Sequence, residues 1–177
     1  MDTGGIAISV RDKVLEAIEG TIHLVRLIPT NRLEWRPDAK SDSASPPIDL
    51  GHLLGHLLDC AAGFCAVLHA AHPTELQDFK QLRGLVVNHS CAPDDAAQRL
   101  EHYSNCIARG FEFLSDDDLP REIPTTFVPE GETLLMLLLG NFEHLTNHKY
   151  QLFFYLKLLG IPVTSADLYR FRGNRES

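Results

Sequence analysis

The sequence lacks the motifs of several common enzyme classes. Its four cysteines form no C-x-x-C pair, and it contains neither a G-x-S-x-G elbow nor a glycine-rich phosphate loop. The absence of H-E-x-x-H excludes a zincin. No glutamate is followed by a histidine three residues later, which excludes a di-iron carboxylate bundle. A metal or catalytic site must therefore be built from other patterns.

Basic charge and long apolar runs are also scarce. The 177 residues have a formal net charge of −8, which argues against nucleic acid as a partner because phosphate binding requires a basic face. No apolar run approaches the ~20 residues of a membrane span. The N-terminal residues lack the basic and apolar segments of a signal peptide. We therefore expect a cytoplasmic protein that binds neither nucleic acid nor membrane.

Helical periodicity dominates the chain. Apolar residues recur with the 3.6-residue period in four segments, at about residues 8–28, 48–72, 93–115 and 131–160. Prolines precede or follow these segments, and Gly160 with Pro162 forms a typical helix end. Alternating β patterns are nearly absent. The sequence thus predicts an all-α four-helix bundle, with residues 1–177 as one domain and 161–177 as its tail.

Two histidines stand on an otherwise apolar helical stripe in the last segment. His144 and His148 are four residues apart, so a helix places them on one face. Because the stripe is apolar at both ends, we expect both imidazoles to face the bundle interior. An unpaired polar group costs free energy there, and metal coordination by neutral imidazole is one solution.

The second segment supplies a third histidine. His56 lies on a stripe with Leu53 and Cys60, whereas His52 is nearer the helix start and is expected to be exposed. His56 is therefore the better third ligand, with His52 as the alternative. Three histidines from two helices, with open positions, match a catalytic metal site better than a closed structural one.

Other polar residues near these histidines have two interpretations each. Asp59, one turn after His56, is either an orienting carboxylate or a surface residue. Tyr155 is either a pocket-lining residue or a core aromatic. Cys60 and Cys65 lie in an apolar helical run and are predicted to pack as small hydrophobic residues.

Three segments resemble the DinB/YfiT-like family of metal-dependent enzymes. They are "LIPTNRLEWRPDAKSDSASPP", "IDLGHLLGHLLD" and "HLTNHKYQLFFYLKLLGI", the last with H-x-x-x-H followed three residues later by Gln151. The resemblance implies a four-helix bundle in up-down-down-up order, a metal triad of His56, His144 and His148, nickel or zinc as the ion, and a homodimer. Lys149 and Tyr150 depart from the family, which often has Arg-Gly there.

Members of this family include thiol-dependent S-transferases and a thiol-dependent isomerase. The leading hypothesis is therefore a divalent-metal-dependent enzyme of the thiol S-transferase or hydrolase type, with a small-molecule substrate and a low-molecular-weight thiol. Metal-bound water or thiol would be the reacting group, and Asp59 is the protein side chain considered for a catalytic role. The alternatives are a non-catalytic metal-binding or stress-related bundle protein, and a helical dimer with no metal.

Overall fold

The four predicted helices are present in the computed structural model, which describes residues 5–38, 47–82, 91–125 and 128–169. A short fifth helix follows them, and two strands of two residues each pair antiparallel just before the fourth helix. Short 3-10 turns occupy Thr30–Arg32, Gln77–Gln81 and Asp116–Asp118. The bounds are α1 Ile6–Arg26, α2 Leu50–Ala71, α3 Pro93–Phe111, β1 Glu122–Ile123, β2 Glu132–Thr133, α4 Leu134–Leu158 and α5 Ser165–Leu168.

Side-chain caps explain where the helices begin and end. The carboxylate of Asp49 accepts the backbone N–H of His52 at 2.7 Å and starts α2. Gly160 has a φ of 79°, the left-handed conformation that closes α4 as predicted. Two predicted bounds are wrong by a few residues. The third helix ends at Phe111 rather than 115 because Ser115 caps a new turn, and α4 starts at Leu134 rather than 131 because Thr133 is its N-cap.

Contacts along the helices establish their directions. Asp116, beyond the end of α3, accepts the backbone N–H groups of Ile6 and Ala7, so α1 and α3 are antiparallel. Gly110 and Leu68 meet near the ends of α3 and α2, which are therefore parallel. Each of these contacts fixes the direction of one helix relative to its neighbour.

The last helix completes the order. The Tyr155 hydroxyl, near the end of α4, donates to the carbonyl of Ile48 just before α2, so α2 and α4 are antiparallel. Lys149 lies against Gly20, which places α4 beside α1 in the same direction. The bundle is thus up-down-down-up, as predicted.

Apolar side chains from all four long helices form the core. Among the residues described, α2 is the one helix long and apolar enough to cross a membrane by length and composition. That is weak evidence for a membrane span, because a mostly buried core helix passes the same test. Buried Leu53, Leu57 and Leu58 show that α2 lies within the bundle. The described part of the tail, residues 161–169, docks through α5, whose Leu168 is buried.

Candidate metal centre

His144 and His148 bring two ring nitrogens together on α4. Their Nε2 atoms are 2.9 Å apart. Two nitrogens that share one ion at ~2.0–2.1 Å each are separated by about 3 Å when they occupy adjacent positions. The separation of the pair is therefore the one expected of two ligands of one divalent ion, and in the metal-free protein it is also that of a hydrogen bond between the two rings.

The pair lies nearer to solvent than the sequence predicts. His144 is exposed and His148 half-buried, so the expectation that both face the interior is wrong for His144. The buried stripe of α4 contains Leu145, Leu152 and Leu156. His144 is offset from that stripe by about 100° around the helix and His148 by about 60°, which puts them at the edge of the α2–α4 interface. One side of the pair is accessible to a small molecule.

A chain of hydrogen bonds fixes the tautomer of His148. The Ile48 carbonyl can only accept, so the Tyr155 hydroxyl donates its hydrogen there, at 3.1 Å. Tyr155 Oη then accepts from Gln151 Nε2 at 3.0 Å, which turns Gln151 Oε1 toward His148 Nδ1, also at 3.0 Å. His148 Nδ1 must therefore have the hydrogen. The lone pair of the neutral ring is on Nε2, the atom that faces His144.

Tyr155 is a core aromatic, one of the two roles considered for it. It is buried in the core, with Trp35 packed edge-on against its ring at a centroid distance of 5.4 Å. Its hydroxyl nevertheless acts on the site through Gln151. An outer hydrogen bond of this kind sets the orientation and tautomer of a metal-ligating histidine.

His56 faces the pair from α2, but its ring nitrogens are not among the donor atoms that lie within 4.8 Å of one another; those belong to His144, His148 and Cys60. The ring of His56 is parallel to that of His148, with centroids 5.1 Å apart. Exposed His52 lies on the side of His56 that is away from the pair, and the centroids of the His52 and His56 rings are 5.1 Å apart. Burial, followed by the neighbouring His148, lowers the pKa of His56, and the same two causes lower the pKa of His144. Both rings are therefore neutral at pH 7, the form that binds metal.

Cys60 is a donor that the sequence analysis did not select. Its Sγ and one ring nitrogen each of His144 and His148 all lie within 4.8 Å of one another. Its predicted burial is confirmed, and that burial, followed by the Asp59 charge, raises the pKa of the thiol to about 12. Its position four residues after His56 was the available signal. Asp59 itself is half-buried, and its orienting role stays a prediction.

The two residues that depart from the family pattern face away from this cluster. Buried Lys149 extends toward α1 and donates to the Leu168 carbonyl at 3.2 Å. Exposed Tyr150 packs edge-on against Phe154. The substitutions thus alter the α1 side and the outer surface of α4.

A cavity of about 280 Å³ begins one helical turn beyond the cluster. Its walls are formed by small residues of α2, including Gly63 and Ala66, by the hairpin of β1 and β2, and by the start of α4, including Leu137. Asn141, one turn before His144, adds an amide to a mostly apolar lining. The cavity size suits a small organic molecule.

Comparisons with known proteins identify the fold. No protein-family model matches the chain, and no curated protein matches it. A crystal structure of a DinB-like protein from Bacillus subtilis superposes with a TM-score of 0.62 at 22% identity, over 86% of this chain and 92% of that one. The mycothiol-dependent maleylpyruvate isomerase matches with a TM-score of 0.54 at 17% identity.

A histidine-to-alanine mutant of that isomerase gives a TM-score of 0.53 at 16% identity. Both isomerase matches cover 81% of this chain but 60% of the isomerase, so the chain corresponds to a part of that protein. At these identities the likeness concerns the fold. The chain has the DinB-like fold that the resemblance implied.

Proposed function

We propose that the protein is a divalent-metal-dependent enzyme whose ion is held by His56, His144 and His148. The observation that supports this most is the 2.9 Å approach of two Nε2 atoms, one of them with its tautomer fixed by hydrogen bonds. A histidine pair that only contacts water does not require the hydrogen bonds through Gln151 and Tyr155 that fix the tautomer of His148. The mainly apolar cavity beside the cluster supports a small-molecule substrate.

The residues around the site have separable tasks. The Gln151 amide and Tyr155 hydroxyl hold His148 in the ligand tautomer. The buried leucines of α2 exclude water from the bundle side, while exposed His144 leaves the outer side accessible. A bound divalent ion supplies Lewis acidity, which lowers the pKa of a water or thiol. Nickel and zinc both accept imidazole ligands, and either is compatible with this donor set.

The proposed reaction class is thiol S-transfer, with hydrolysis as the related form. A low-molecular-weight thiol would form a new carbon–sulfur bond to the substrate, the bond from that carbon to its leaving group would break, and the thiol proton would pass to solvent. Support comes from the shared fold with a mycothiol-dependent isomerase. The homodimer implied by the resemblance and the cytoplasmic location expected from the sequence stay predictions.

Metal content tests the first half of this proposal. Purified protein incubated with nickel or zinc and then desalted is expected to retain about one equivalent of ion. His148→Ala should retain less than about a tenth of an equivalent, because it removes a ligand and leaves its partners unpaired. His69→Ala is the matched control, since His69 is on α2 but outside the cluster. Wild-type protein that retains no metal would refute the site.

Thiol consumption tests the second half. The metal-loaded protein is mixed with a low-molecular-weight thiol and a reactive small electrophile, and loss of free thiol is followed with time. We expect metal-dependent turnover in the wild type and in His69→Ala, and none in His148→Ala. One equivalent of bound metal with no thiol consumption or hydrolysis across such electrophiles would instead support the non-catalytic metal-binding alternative.

A further inference from the structure

We infer that the Cys60 sulfur is a ligand of the same ion, so that the donor set contains a thiolate beside the histidines. This inference rests on the proposed metal site and specifies its chemistry. It concerns a buried residue that sequence patterns assign only to packing.

The register between α2 and α4 places Cys60 opposite His144. Gly63 of α2 faces Asn141 of α4, because a Cβ on Gly63 would lie 3.3 Å from Asn141 Oδ1. The helices are antiparallel, so three residues back along α2 and three forward along α4 reach Cys60 and His144. Each of these steps is about one helical turn. Cys60 and His144 are therefore facing positions.

The next turn gives the remaining pair. Four further residues along each helix reach His56 and His148, whose rings are parallel and 5.1 Å apart. The four side chains thus form two facing levels across one helix pair. Cys60 faces His144, which is exposed, and His56 faces His148, which is half-buried.

The separation of the donor atoms is close to that of shared ligands. Metal–sulfur and metal–nitrogen distances of ~2.3 and ~2.0–2.1 Å put two such ligands of a tetrahedral ion about 3.6 Å apart. The Cys60 Sγ and the two ring nitrogens lie within 4.8 Å of one another. A rotation of roughly 45° about the Cys60 Cα–Cβ bond moves the sulfur by about 1.2 Å, which is the size of the largest movement that metal binding would require.

Sulfur would change which ions the site selects. Thiolate is a soft ligand that favours zinc and similar ions, whereas magnesium and manganese prefer oxygen. On binding, the thiol proton passes to the buffer and the sulfur binds as thiolate. The site would then hold zinc or cobalt more tightly than a site with three histidines alone.

Cobalt(II) provides a readout that does not depend on activity. A sulfur ligand gives cobalt an intense near-ultraviolet charge-transfer band, and imidazole ligands do not. Metal-free protein is titrated with cobalt under reducing conditions, and the band and the dissociation constant are recorded. Cys60→Ser and Cys60→Ala are compared with Cys65→Ala, since Cys65 is buried on the same helix and lies close to Cys106 of α3.

We expect the band in the wild type and in Cys65→Ala, and its loss in both Cys60 variants. Their cobalt affinity should fall by more than about a hundredfold, because a ligand itself is lost and loss of an outer hydrogen bond alone already costs ~10–100-fold. Cobalt bound to wild-type protein without the band, or a band that persists in Cys60→Ser, would overturn this inference and leave the histidine site intact. Failure of the wild type to bind any cobalt would overturn both.

Discussion

The hydroxyl of Tyr155 can be removed without changing the shape of the core, which makes Tyr155→Phe the sharpest test of the hydrogen-bond chain. Tyr155 is 5% exposed and its ring stays packed against Trp35 in the variant. The variant leaves the Ile48 carbonyl without its 3.1 Å donor and Gln151 Nε2 without its acceptor. The variant therefore removes hydrogen bonds and leaves the packing of the ring unchanged.

Two effects of different size should follow. The free energy of unfolding of the metal-free protein should fall by about 1–2 kcal/mol, since the lost bond is only partly buried and water can partly replace it. Metal affinity should fall about tenfold, equivalent to ~1.4 kcal/mol, because Gln151 is free to turn its amide and no longer fixes the His148 tautomer. The second effect is specific to the site.

Urea unfolding of metal-free protein measures the first effect, and calorimetric titration with zinc measures the second. Tyr150→Phe is the matched control, because it removes a hydroxyl from an exposed tyrosine of the same helix. It should change neither quantity. Zinc affinity that is unchanged in Tyr155→Phe, with the stability loss present, would show that Tyr155 only supports the fold and would refute the tautomer reasoning.

Two further predictions concern the fold itself. A Cβ on Gly110 would lie 2.8 Å from Leu68 Cδ1 in the core, so Gly110→Ala should cost about 1–3 kcal/mol by overpacking and lower the melting temperature. A Cβ on Gly140 would meet no atom from elsewhere in the described part of the chain within 4 Å, so Gly140→Ala should instead stabilise by roughly 0.5–1 kcal/mol; the reverse order would contradict the packing. The His23 hydrogen bond, followed by the Thr164 backbone, lowers the pKa of Asp167 below its usual range. The wild type should therefore be more stable than Asp167→Asn above ~pH 3.9, and this difference in stability should disappear as pH falls through the lowered pKa of Asp167. Acid unfolding of the two proteins measures it. A difference that does not change with pH would refute the assigned ion pair.

Much of the fold could be predicted because local signals agree with it. Apolar periodicity located all four helices, and Gly160 marked a true helix end. The small errors occurred where a polar side chain caps a neighbouring turn, as Ser115 and Thr133 do. Periodicity continues through such positions, so it does not reveal that the backbone has already left the helix.

The candidate site was only partly predictable. Spacing put His144 and His148 on one face, and the approach of their Nε2 atoms agrees with that. Spacing did not show that the histidine face of α4 is offset from the core. An apolar stripe can be drawn through the histidines as well as through the buried leucines beside them, such as Leu145 and Leu152. The rotation of α4 about its own axis depends on packing against α1 and α2, including buried Lys149 against α1.

The donors on α2 are determined by residues outside the cluster. The Gly63–Asn141 approach lies on one side of the histidines and the Tyr155–Ile48 hydrogen bond on the other. Together these contacts fix how far α2 is displaced along α4. A slip of one turn would place a different α2 residue opposite His144, so the identity of the ligands depends on a glycine and a tyrosine that bind no metal. Because both contacts join residues far apart in the chain, no local motif contains them, and the position of Cys60 opposite His144 is established only in three dimensions.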